Sequence, residues 1–146
     1  TFLEATGAPS AEHRLEGRSL QRLLHGQAST DWRDAVFSEI DYAFYAARET
    51  LDVGLSDARG YMLRTERWKY VHFRHFPPQL FDLENDPNEF QDLGRDPDHE
   101  DLRQRMHAGL LDRLTMRKNR VTMNDDEVRA MRGDEDRAGI IIGKWG

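Results

Sequence analysis

The side chains that could attack, move protons or hold a metal here are six histidines, a handful of serines and the carboxylates. The chain has no cysteine, so it has no thiolate nucleophile and no disulfide. His72 and His75 are three apart, a spacing that on a strand sends them to opposite faces. His99 and Glu100 sit among acids at the start of a helical pattern, a solvated setting. His13 and His25 flank a loop and a helix end with no partner at ligand spacing. Asp82, Asp86 and Glu89 bunch like a calcium cluster. Their spacing departs from the EF-hand pattern, and a turn at Asp86-Pro87 accounts for them better. None of the serines lies in a nucleophile elbow.

The elements that would position such groups are readable from periodicity. Trp68, Tyr70 and His72 alternate with Lys69, Val71 and Phe73, the mark of a half-buried strand. Tyr61, Leu63 and Thr65 make a shorter strand before it, reversed through Glu66-Arg67. Pro77-Pro78 stops the ladder, because proline has no N–H to donate. A third strand returns over Gln79 to Leu83, and Asn85-Asp86-Pro87-Asn88 turns out of it. Val36, Ser38, Ile40 and Tyr42 alternate with Phe37, Glu39 and Asp41 in a fourth strand. Residues 43–60 break the pattern and read as a long connection, the kind that usually carries function.

From Asp96 the pattern turns helical. Asp96 is placed to cap, Pro97 takes the first helical position, and Asp98, Glu100 and Asp101 lie at the positive end of the dipole. Leu102, Met106, Leu110 and Leu114 form an apolar stripe, with Arg103 expected on the opposite face. Near the start, residues 1–7 read as the last turns of a helix ended by Gly7, and Ser19 as the N-cap of a short Leu-rich helix. Asn124 to Met131 suits another short helix, before a polar linker over 133–137. The expected fold class is α+β: a four-stranded antiparallel sheet packed by a long C-terminal helix, with an extended C-terminal arm.

Composition sets the outer limits. The 146 residues can bury one core without staples. Charged residues are 33% of the chain and the net charge is -6, with the basic residues interspersed among acids. That balance argues against nucleic acid as a partner. No apolar run is long enough to cross a membrane, and a cytoplasmic location is the expectation.

Two linked motifs carry a resemblance. Arg64, Trp68, Lys69 and Tyr70 stand in Arg-x-x-x-Trp-Lys-Tyr, and Leu80-Phe81-Asp82-Leu83-x-x-Asp86-Pro87-x-Glu89-x-x-Asp92-Leu93 follows. Together they resemble the C-terminal subdomain of sulfatases, in the alkaline-phosphatase superfamily, and phosphonate monoester hydrolases most of all. Phe81 stands where many members have tyrosine, and Asp92 where many have asparagine. Gly17, Ser19, Leu20, Leu23, Leu24 and Gly26 match a further family pattern, with Arg22 where proline is common.

The resemblance implies a hydrolase of sulfate or phosphonate/phosphate esters that uses formylglycine and a divalent metal (Mn, Ca, Mg or Zn). That nucleophile is made in a Cys/Ser-x-Pro-x-Arg motif. None of Ser10, Ser19, Ser29, Ser38 or Ser56 has proline two places on and arginine four places on. The family's Asp-His metal pair normally lies upstream of the pattern that begins at Thr1. The chain is therefore expected to hold no catalytic residue, metal or cofactor of its own. The expected organisation is a linker with short helices over 1–33 following a missing catalytic domain, the subdomain over 34–120, and an arm over 121–146. Arg64, Trp68, Lys69, Tyr70, Asp82, Asp86 and Pro87 are expected to be structural, with Trp68 supplying core area and Arg64 and Lys69 tying down strand edges or domain contacts. Tyr42, Tyr45 and Arg48, with Phe44, could rim a pocket for an anionic ester, although packing within the loop accounts for them too. Ile140, Ile141, Ile142 and Trp145 are costly to leave in water and suit assembly into a homo-oligomer, although folding back on their own domain or covering the missing catalytic domain would shelter them too. The reading from another class is a non-catalytic interaction module that presents this tail to a partner.

Overall fold

Alternating aromatic and β-branched residues build four strands: β1 (Val36–Asp41), β2 (Arg59–Arg64), β3 (Trp68–Phe73) and β4 (Gln79–Asp82). They pair antiparallel in the order β1-β2-β3-β4, as a simple meander. The computed structural model describes residues 1–27, 32–119 and 121–131. These belong to two units, one within Ser29–Arg117 and the other within Thr1–Ala28 and Lys118–Gly146.

Register decides the core of the first unit. One row across the sheet runs Phe37, Leu63, Tyr70 and Leu80, so four large side chains share a face. Against that face lies α4 (Glu100–Thr115), whose Met106 and Leu110 are buried with Leu63, Tyr70 and Leu80. Leu102, Leu114, Trp68 and Leu93 pack around this cluster. The reversal between β2 and β3 is fixed by Thr65. Its N–H donates to Trp68 O at 2.8 Å, and its Oγ1 accepts from Trp68 N–H at 2.9 Å.

The start of α4 follows its sequence. Asp96 Oδ1 accepts from Asp98 N–H at 3.0 Å, and Pro97 opens a single 3-10 turn, Pro97–His99, that feeds the helix. Arg103 departs from the expectation. Its guanidinium turns back to the carbonyls of Leu93 and Asp96 and to Glu100, rather than out to solvent. At 100° per residue Arg103 lies only about 60° from Met106 around the helix, on the flank of the stripe rather than behind it.

The connection after β1 is also more ordered than expected. It holds α3 (Ala46–Thr50) and a 3-10 turn over Leu55–Asp57. Five residues are too few to show a helical period. Tyr42, Val53 and Ala58 make a second buried cluster with Phe73 and Phe76, on the face of the sheet away from α4.

In the second unit, α1 (Phe2–Ala5) is closed by Gly7 at φ 68°, a left-handed conformation that glycine adopts without strain. In α2 (Gln21–Leu24) the cap is Leu20, one residue later than expected. Ser19 still contributes, its Oγ accepting from Gln21 N–H at 3.3 Å. In α5 (Asp125–Ala130), Asn124 and Glu127 form a reciprocal capping box. Lys118 is held by the carbonyls of Glu12 and Leu15, and its N–H donates to Glu16 at 3.1 Å. Ile140, Ile141, Ile142 and Trp145 lie outside the described residues.

Candidate functional site

The two sequence motifs meet across β3 and β4 and become one interlock. Arg67 donates through Nε to Asp82 Oδ1 at 3.0 Å and through Nη2 to Asp82 Oδ2 at 2.7 Å, a forked pair. Asp82 also accepts from Asn85 Nδ2 at 2.9 Å and from Glu84 N–H at 3.3 Å. The Arg67 hydrogen bonds, more than any other cause, hold the Asp82 carboxyl down at about 2. One turn further on, Lys69 pairs with Glu89, whose φ of 59° is left-handed. A non-glycine residue there is strained, and the ion pair helps hold it.

The rest of the second motif follows the same logic. Asp86 Oδ2 accepts from Gln91 N–H at 2.8 Å, and its own N–H donates to Asp82 O at 2.7 Å, so Asp86-Pro87 is a turn. Asp92 Oδ1 accepts from Leu80 N–H at 3.0 Å and Gly94 N–H at 2.8 Å. Asparagine offers the same carbonyl-type acceptor, so the departure at Asp92 costs little. The indole of Trp68 lies under Arg67, 4.8 Å from the guanidinium carbon to the ring centre. Tyr70 is buried in the core, and its hydroxyl lies 3.2 Å from His107 Nδ1. Arg64 is exposed, at the lip of an open groove with Trp32, Arg33, Asp34 and Glu66.

This interlock predicts a pH and a mutational signature. Arg67→Ala is expected to destabilise the fold, because it takes the forked partner from the carboxylate of Asp82, a residue only 8% exposed. A carboxyl held below its unfolded value near 3.8 stabilises the fold above that pH, and the gain fades as pH falls toward 2. The wild-type acid limb should therefore shrink in Arg67→Ala. Urea melts at pH 7, 4 and 2.5 on both forms check this; equal gaps at all three would remove the pair from the account.

The aromatic loop separates into different roles. Tyr42 is buried, with its ring edge-on to Phe73. Arg48 Nε donates to Ala43 O at 2.9 Å and Nη1 to Val53 O at 3.2 Å, with Glu49 beside it, so this guanidinium ties the loop to itself. Tyr45 is at the surface with Phe44, their ring centres 4.5 Å apart. His72 and His75 part company as their spacing required. His72 meets His107 of α4 at 5.4 Å between rings, and burial, then His107, lowers its pKa. His75 meets Asp57 at 3.2 Å. Among the described residues no three carboxylate or imidazole groups converge to hold a metal ion.

The sheet, its long helix and the interlock define a sulfatase-type C-terminal domain. Residues 1–116 match the family described as N-sulphoglucosamine sulphohydrolase, C-terminal, and the chain belongs to it. Over 100 residues it is 35% identical to the multifunctional alkaline phosphatase superfamily protein PehA of Trinickia caryophylli, covering 66% of this chain and 19% of that one. The phosphonate monoester hydrolase SpPMH of Silicibacter pomeroyi superposes with a TM-score of 0.71 at 30% identity, over 79% of this chain and 23% of its own. The phosphonate monoester hydrolase of Agrobacterium radiobacter gives 0.62 at 34% identity, over 69% and 21%. The chain thus spans about a fifth of the length of these relatives.

What the sequence alone did not mark are Arg67 and Gly94. Gly94 is buried, and a Cβ on it would lie 2.0 Å from Pro78 O. A lone glycine after a motif gives no sequence signal of that approach. Arg67 was legible only as the polar half of a reversal.

Proposed function

We propose that this chain is the C-terminal portion of a formylglycine- and metal-dependent hydrolase of sulfate or phosphonate/phosphate esters. The observation that carries the reading is the family match over residues 1–116, together with identity to phosphatase-superfamily and phosphonate-hydrolase relatives. The nucleophile and metal ligands belong to a catalytic domain that this portion completes. Here the two-motif interlock keeps the domain rigid, and Tyr45 with Phe44 supplies aromatic edges toward an anionic ester. Arg48 braces their loop. The setting is cytoplasmic, and the partner is the catalytic domain, with neither nucleic acid nor membrane involved. No helix among the described residues is long and apolar enough to cross a membrane.

Two outcomes test this reading. The chain by itself is expected to turn over nothing. It lacks the Cys/Ser-x-Pro-x-Arg motif, and general acid–base groups alone give only about 10²–10⁴-fold. Incubation with aryl sulfate, phosphonate monoester and phosphodiester, with Mn²⁺, Ca²⁺ or Zn²⁺ added, checks it. Saturable metal-dependent hydrolysis by this chain would overturn the assignment. The arm is the second case. Ile140, Ile141, Ile142 and Trp145 form an apolar run behind a polar linker, suited to adding to another subunit of a homo-oligomer. Ending the chain after Arg137 should lower the mass seen by light scattering while the far-UV spectrum holds. An unchanged mass would remove the arm from assembly.

A further inference from the structure

The sheet has two faces, and α4 covers one. On the other, the rows run Val36, Arg64, Lys69, Phe81 and then Ser38, Met62, Val71, Gln79. Around Phe73 the second cluster of Tyr42, Val53 and Ala58 covers this face, and on the β4 side Phe81 is buried with the Lys69 ammonium near its ring, so the apolar exposure that remains lies on the β1 side. Val36 and Ile40 on the edge strand remain 45% and 49% exposed. The distribution of apolar exposure is lopsided. Among the described residues of Ser29–Arg117, six of the nine exposed large apolar side chains come from the stretch from β1 through the 3-10 turn. They are Val36, Ile40, Phe44, Tyr45, Leu51 and Leu55. Scattered exposed apolar residues need no explanation, but a run of them in one segment of the chain does.

A sheet with apolar side chains on both faces calls for a layer on each. In the relatives the matched region is joined to roughly four-fifths more chain, since it makes up 19–23% of their length. We propose that the catalytic domain seats on the β1–α3 side of this unit, over Val36, Ile40 and the Phe44–Leu55 segment. This inference rests on the function proposed above and adds to it the surface and its anchors. It makes the aromatic pair Phe44–Tyr45 part of the domain seam, at the place where such a loop could also edge a substrate site.

The test compares one substitution in two settings. Ile40→Lys is made in this chain and in the protein translated from the whole open reading frame. In this chain Ile40 already faces water, so the melting temperature should move by less than about 2 °C, as for other surface changes. In the whole protein the lysine would be forced into an apolar seam. Limited proteolysis between the two parts should then speed up at least tenfold, with raised amide exchange in residues 36–55. Leu111→Lys, an exposed position on α4, serves as the control and should be silent in both settings. If the whole protein hydrolyses its ester yet Ile40→Lys is as silent as Leu111→Lys, this seam is wrong and the function stands. A reading frame without a catalytic portion, or a whole protein inert toward all three ester classes, overturns the function and the seam with it.

Discussion

Gly94→Ala is expected to unfold the domain or to cost about 4 kcal/mol or more, the range reserved for substitutions the backbone cannot absorb. A methyl at this position would lie 2.0 Å from Pro78 O, 2.8 Å from Asp92 Oδ1 and 2.9 Å from Gln79 Cα. Two of the three obstacles are main-chain atoms, held by Pro78 and by the entry into β4, so no rotamer change gives relief. Backing away would pull Asp92 from Leu80 N–H and break the contact between Leu93 N–H and Leu80 O, now 2.8 Å. Leu80 is fully buried, so the disturbance would enter the core. Gly54→Ala supplies the contrast. Its backbone, at φ -62°, is open to any residue, and the nearest atom to an added Cβ is Asp57 Oδ2 at 3.7 Å. It should be neutral or stabilising by about 0.4–1 kcal/mol, through the unfolded chain. Urea melts of both variants decide the matter; a Gly94→Ala protein within 1 kcal/mol of wild type would mean that the loop after the second motif is far softer than its hydrogen bonds imply.

Sequence reasoning succeeded here where the signal was periodic and failed where it was a single contact. Alternation along residues 68–73 is a direct image of the pleat, so the four strands and the meander of the last three were readable, while the place of the first strand in the sheet and the full helix-facing row came from the pairing itself. The stripe of Leu102, Met106, Leu110 and Leu114 likewise gave the buried side of α4. Arg103 was misplaced because a long side chain is free to bend from the flank of a helix to nearby carbonyls, which periodicity does not record. The same limit hid Arg67. The motif residues around it were known to travel together, but only the structure shows that Arg67 with Asp82, and Lys69 with Glu89, are the physical link between them. Arg48 was legible as a cation beside aromatics and not as a brace, since its partners are backbone carbonyls that carry no sequence identity. The α3 helix escaped because one and a half turns show no period.

The second large effect is Leu110→Ala, expected to cost about 2–5 kcal/mol. Leu110 is 1% exposed and lies in the cluster that joins α4 to Leu63, Tyr70 and Leu80 on three neighbouring strands. Removing its side-chain carbons loses their burial and leaves a hole that the sheet is poorly able to close, because Leu63, Tyr70 and Leu80 are fixed in one register row. The value should fall toward the upper end for that reason, since rigid surroundings leave more of the cavity open. Leu111→Ala, one residue on and 53% exposed, removes the same atoms from the solvent side of the helix. It should cost well under about 1 kcal/mol, and helix propensity favours it slightly. The pair therefore separates packing from propensity within one turn of one helix. Chemical denaturation of both should show a shifted midpoint for Leu110→Ala with an unchanged slope, the sign that stability fell while the surface exposed on unfolding did not. Equal losses at 110 and 111 would mean that α4 is rotated on the sheet, and with it the whole helix-facing row.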